Sequence, residues 1–196
     1  MMRTLFLYRR ALAWGAYAGL LLGSRALVEA NMWQHMLLQF PALITGGVWL
    51  GHALPARWAV ASARYNQLGL TGLVYAAVAT SVWMIPRAID LAVEDWRIDA
   101  IKIASLLLTG IALRLSWKAA GRTLQAFFLV SWAMMTVTVG MLYQDSTSRL
   151  CSSYLTNDQV WAGYGLVAIS GLLVAGWFAR VLREFVLTGD ATLPKW

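Results

Sequence analysis

Two histidines and a few soft or acidic side chains are the residues of this sequence best able to bind or react. His35 is flanked by Asn31, Met32 and Gln39. On a helix these lie at i−4, i−3 and i+4, on one face with it. They form a polar, soft stripe on an otherwise apolar segment, and soft ligands suit copper(I). The same side chains can instead hydrogen-bond between helices and hold a bundle together. Both readings stand at this point.

His52 follows His35 by seventeen residues, roughly 25 Å along one helix. The two cannot share one haem iron or one metal, and no haem is expected. Met84 precedes Pro86, while Asp158 and Gln159 open a later apolar segment. Asp158 is placed either to face a helix dipole or to join His35, Met32 and Met84 as a metal ligand. Cys151 is the only cysteine, so an intramolecular disulfide is impossible. It is a tolerated free thiol, an intermolecular bridge or a soft-metal ligand. No nucleophile triad, phosphate loop, HExxH or CxxC occurs, and nothing requires an enzyme.

The elements that carry these residues are membrane helices. Of 196 residues, 60% are hydrophobic and 13% charged, against about 25% charged in a soluble domain. Residues 30–56, 65–86, 123–144 and 159–179 hold no Asp, Glu, Lys or Arg. Each run reaches the ~20 residues that a helix needs to cross a bilayer, where a helix satisfies its own backbone. Residues 11–24 and 103–113 are shorter runs bracketed by Arg10 and Arg25, and by Lys102 and Arg114. Long basic stems of this kind reach the headgroups from a buried backbone. The expectation is an all-α polytopic transmembrane helical bundle of about six spans, near 9–28, 32–53, 66–86, 100–117, 123–143 and 159–182. It forms a single domain over 1–186 with a loose tail at 187–196.

The net charge of +7 is not spread as a nucleic-acid partner requires. Arg3, Arg9 and Arg10, then Arg57 and Arg64, then Arg114, Lys118 and Arg122, then Arg180 and Arg183 fall in alternate connections. The intervening connections are mixed or acidic. This is the positive-inside pattern, which puts both termini in the cytoplasm. Loops 25–31, 87–101 and 145–158 then face outward, with residues 86–100 patterned as a short amphipathic surface helix. Gly15, Gly19 and Gly23 make a small-residue face suited to helix packing, against a larger membrane complex or a second copy. The first span has a second reading as a cleaved signal peptide, ending near Val28-Glu29-Ala30.

The segment Asn31-Met32-Trp33-Gln34-His35-Met36-Leu37-Leu38, with Pro41 after it, resembles the H-x-x-Q-H-x-L-L segment of CtaG-type cytochrome c oxidase assembly proteins. Trp83-Met84-Ile85-Pro86 with Asp90 and Ala92 is similar to that family's W-H-x-P-x-x-Y-D-x-A. Ser105, Gly110 and Trp117 resemble its next helix, and Asp158-Gln159-Val160-Trp161-Ala162-Gly163 its D-Q-x-x-A-G. Order and approximate spacing agree from residue 31 to about 180. The resemblance implies an inner-membrane protein that helps copper reach a respiratory oxidase through outer-face histidines. This chain departs there. Asn31 and Met84 stand at two of the family's histidine positions, and Asp99 and Ile103 at two more, leaving His35 alone. The first expectation is an inner-membrane protein assisting assembly of, or copper(I) delivery to, a respiratory oxidase or other copper-dependent membrane complex. The alternative, suggested by a scaffold kept while its ligands are lost, is a non-catalytic accessory or anchor subunit without metal binding.

Overall fold

A computed structural model describes residues 17, 19, 23, 25–146 and 148–188. The described chain is all-helical. After a short turn at Arg25–Val28, a continuous helical run starts with Met32–Gln34 and passes through a π turn at His35–Gln39. It continues as α1 (Phe40–Ala53). The π turn has a local cause in Pro41, which lacks an N–H and whose ring crowds the carbonyl four residues back. From Met32 to Ala53 the run covers about 33 Å at 1.5 Å per residue. Then follow α2 (Ala56–Ala63), a 3-10 turn at Gln67–Gly69, α3 (Leu70–Trp83), α4 (Pro86–Glu94), α5 (Trp96–Ser116), α6 (Gly121–Asp145) and α7 (Thr156–Thr188).

Two helices, α6 and α7, are long and apolar enough to cross a membrane. A third span is present if α3 and α4 count as one, bent by 75° at its break. Pro86 makes that bend, because it starts a helix well and cannot continue one. α5 is 21 residues long but carries Asp99 and Lys102 in its first two turns. The first expected span lies almost entirely outside the described residues, as do Gly15 and most of the tail.

Packing is by close backbone approach. α1 lies along α5, α5 along α3, and α6 along α7. At the α1–α5 crossing a Cβ on Gly47 would sit 2.0 Å from the Leu107 carbonyl oxygen, and one on Gly110 the same distance from that of Ile44. α6 and α7 meet in the same way at Gly140 and Gly163. Small residues at such crossings let two helix backbones approach closely. Gly19 and Gly23, in contrast, are exposed and meet nothing within 4 Å. The close-packing glycines among the described residues include central ones in α1, α5, α6 and α7, and Gly72 of α3 against Ser116.

Candidate functional site

The side chains with chemistry converge at one end of the bundle, where the Met32 run, α5 and the loop before α7 meet. The π turn carries His35, Met36 and Gln39 into the interior. α5 begins at Asp95, whose side chain accepts from the Arg97 N–H at 2.8 Å and caps the helix. From there Asp99, Lys102, Leu106 and Thr109 recur at three- and four-residue steps and are all buried. That stripe puts an acid and a base on the buried face of the helix.

Lys102 is fully buried. Its Nζ lies 2.7 Å from His35 Nε2, 2.8 Å from Asp99 Oδ1 and 3.3 Å from Glu29 Oε1. An ammonium has donors only, so His35 accepts at Nε2 and carries its proton on Nδ1. That nitrogen is 2.7 Å from the Tyr154 hydroxyl, which in turn donates to the Glu29 backbone carbonyl at 3.1 Å. Gln39 Nε2 donates to Glu29 Oε1 at 2.9 Å. The result is a directed chain from Lys102 through His35 and Tyr154 to the main chain at residue 29, closed by the Glu29 carboxylate. Burial, then the neighbouring Glu29, pushes the Tyr154 hydroxyl pKa up, so this phenol keeps its proton and its donor role.

A second cluster lies beside the first. Met32, Met36, Met84, Cys151, Tyr143 and Tyr154 share one buried core. Tyr143 donates to the Met84 carbonyl at 2.7 Å, closing a group left open by the α3–α4 bend. Asp90 accepts from Ser152 N at 2.8 Å, Ser152 Oγ at 3.0 Å and Ser153 N at 3.1 Å. Burial alone would raise the Asp90 pKa, but these donors together hold it below the usual carboxylate value. Gln159 accepts from Leu150 N and donates to the Tyr143 carbonyl. Asp90 and Gln159 thus staple the loop before α7 over the sulfur-rich core. Burial, then Asp90, pushes the Cys151 thiol up to about 12.

Of the residues expected to bind metal, His35, Met32 and Met84 come to the same end and are buried. Asp158 sits in the first turn of α7, inside the helix and not at its cap. No hydrogen bond or ion pair joins it to the other three. Both His35 nitrogens face protein partners, Lys102 and Tyr154. Among the described residues no group of three or more His, Cys, Asp or Glu is arranged to hold a metal ion. His52 is at the far end of its run, accepting from Arg114 Nε at 2.9 Å.

The residue that sequence reasoning misplaced is Lys102. Its position at the edge of an uncharged run suggests a stem reaching for headgroups, whereas it points into the bundle. The signal was its phase, three residues after Asp99 and four before Leu106 on the buried stripe of α5.

No family model matches the chain, and neither a curated protein nor a solved structure is significantly similar to it. The resemblance to CtaG-type proteins rests on its four sequence segments.

Proposed function

We propose that this chain is a non-catalytic accessory or anchor subunit of a larger membrane complex. In this reading it is a multi-pass protein of about six spans in a bacterial inner membrane, with both termini in the cytoplasm. The observation that carries the reading is Lys102. Its ammonium sits among His35, Asp99 and Glu29, an imidazole and two carboxylates. A tethered cation there turns an inward-facing donor set into a fixed crosslink between α5, the Met32 run and the segment at residue 29. The open small-residue face at Gly19 and Gly23 supplies a surface for a partner helix.

The test is copurification from native membranes under mild detergent, with the partners read by mass spectrometry. A stoichiometric complex is expected, and Gly19→Leu should release it. A monodisperse monomer unaffected by that change would overturn the reading.

Copper(I) delivery to an oxidase is the second reading, favoured by one observation. Met32, Met36, Met84 and Cys151 share a buried core, and thioether and thiol sulfurs are soft ligands. His35, Met32, Met84 and Asp158 were its ligands by sequence. Its test is metal analysis of the copper-loaded, reduced protein beside His35→Ala. Stoichiometric copper lost in that variant would favour delivery, and none in either sample would sink it.

A further inference from the structure

We propose that the end of the bundle opposite the Lys102 cluster is a binding surface for anionic lipid headgroups, with α2 as its anchor. The inference rests on the membrane reading above and adds a partner chemistry to it.

Charge is segregated along this molecule. Glu29, Asp90, Asp99 and Asp158 all lie at the Lys102 end. At the other end, Glu184 is the one carboxylate among the described residues, and it is already held by Arg122 at 3.3 Å and Arg180 at 3.1 Å. The basic groups Arg57, Arg64, Lys118 and Arg183 are exposed there. One hydrogen bond gathers two of the connections that carry them. Asn66 Nδ2 donates to Ser116 Oγ at 2.8 Å and its Oδ1 accepts from Gly72 N at 3.0 Å. The α2–α3 turn is thereby fixed against the end of α5, which brings Arg64 and Lys118 to the same rim.

α2 itself has no other described element packed along it. It presents Trp58 at 59% and Val60 at 73% exposure, with Tyr65 at 77% just after its end. A short helix with bare apolar side chains and flanking arginines has no reason to stand in water. It suits the headgroup–acyl boundary, where the aromatic and aliphatic groups enter the lipid and the guanidinium groups meet phosphate. Between Leu54 and Ile89 the sequence has no acidic residue, so nothing on this connection competes for those arginines. Basic residues near an anionic membrane surface are attracted to it over about a Debye length.

The membrane reading is checked first, by whether extraction from the membrane fraction needs detergent. Lipid selectivity is then read on the extracted protein as its thermal unfolding midpoint, with phosphatidylglycerol or phosphatidylcholine added to the micelles. Phosphatidylglycerol should raise the midpoint by several degrees more than phosphatidylcholine, and 0.5 M NaCl should remove most of that difference. The exposed double change Arg57→Gln/Arg64→Gln should abolish the difference while leaving the midpoint without lipid unchanged. If that variant is unstable, Lys118→Gln should still reduce the difference by a measurable part. Equal shifts from both lipids would overturn the proposal. So would a shift reproduced by inorganic phosphate alone, or one fully retained in the arginine variant.

Discussion

Lys102 Nζ lies 2.7 Å from His35 Nε2, joining the second turn of α5 to the π turn of another helical run inside the bundle. Both groups are fully buried. Taking the ammonium away removes a cation 2.8 Å from Asp99 and 3.3 Å from Glu29 in a buried site. Removing one partner of a buried ion pair typically costs 3–5 kcal/mol. Lys102→Met keeps the length of the side chain and removes the charge, so it should lower stability by about that amount. Adding Asp99→Asn should recover a good part of the loss, because the uncompensated charge is then reduced. Thermal unfolding of the single and double variants checks both statements. A Lys102→Met protein that melts with the wild type would mean that the cluster carries no stability.

A smaller side chain at the same position tests the tethered-cation idea directly. In Lys102→Ala an imidazole nitrogen and two carboxylate oxygens, each now within 3.3 Å of the ammonium, surround a gap. That donor set suits zinc or another borderline divalent ion. The variant should bind zinc with at least tenfold higher affinity than the wild type by calorimetry, and should be stabilised by it. Adding His35→Ala should cancel the gain. Equal zinc affinity in Lys102→Ala and wild type would show that the three groups do not form a cation site.

Asp90 should set part of the acid sensitivity of the fold. Its folded pKa lies below the ordinary carboxylate value, so the carboxylate is favoured in the folded state. Its contribution is present above about pH 4, the pKa of an unfolded Asp, and is lost as pH falls through the lower folded value. Asp90→Asn should cost about 1.5–3 kcal/mol at pH 7, the range for a hydrogen bond to a charged group. It should also flatten the loss of stability below pH 4. An acid limb of equal slope in both proteins would remove Asp90 from that role.

Much of the architecture was legible because membrane helices announce themselves by uncharged runs. The charge-free stretches at 123–144 and 159–179 correspond to α6 and α7, the two helices that meet the length and hydropathy of a span. The helix break at Pro86 was legible too, since proline starts a helix well and cannot continue the one before it. The site was only half legible. His35, Met32 and Met84 could be singled out as costly or soft residues, but their partners could not. Tyr154 reaches His35 across 119 residues of sequence, and no local pattern encodes such a contact. Lys102 was hidden by a general expectation that a lysine at the end of an apolar run leaves the bilayer. Its phase on α5, in register with Asp99 and Leu106, carried the opposite information.

Cys151 should be silent to thiol reagents while the protein is folded. It is buried beneath the loop that Asp90 and Gln159 hold, and its pKa of about 12 leaves almost no thiolate at pH 8, the form that reacts. Maleimide labelling should be slow in mild detergent and complete within minutes in denaturant. In Asp90→Asn the native labelling rate should rise at least severalfold, because the Ser152 and Ser153 contacts are weakened. The folded thiol pKa is raised, so its contribution to stability is full below about pH 9 and declines as pH climbs towards 12. Fast labelling of the native wild type at pH 8 would contradict the closed loop.

The glycines separate backbone packing from simple flexibility. Gly110 has no room for a side chain, since a Cβ there would fall 2.0 Å from the Ile44 carbonyl oxygen and 2.7 Å from Gly47 Cα. Gly110→Ala must push α1 and α5 apart, and overpacking of this kind costs about 1–3 kcal/mol. The same displacement would strain the Lys102–His35 contact, which joins the same two helical runs farther along. Gly176 on α7 meets nothing within 4 Å, so Gly176→Ala adds a methyl group without a clash. There the helix-propensity difference applies, worth up to about 1 kcal/mol in favour of alanine. Gly110→Ala should therefore lower the unfolding midpoint and Gly176→Ala should leave it level or raise it. If glycine acted at Gly110 only by loosening the helix, both changes would stabilise, and the opposite signs distinguish the two accounts in a single melting experiment.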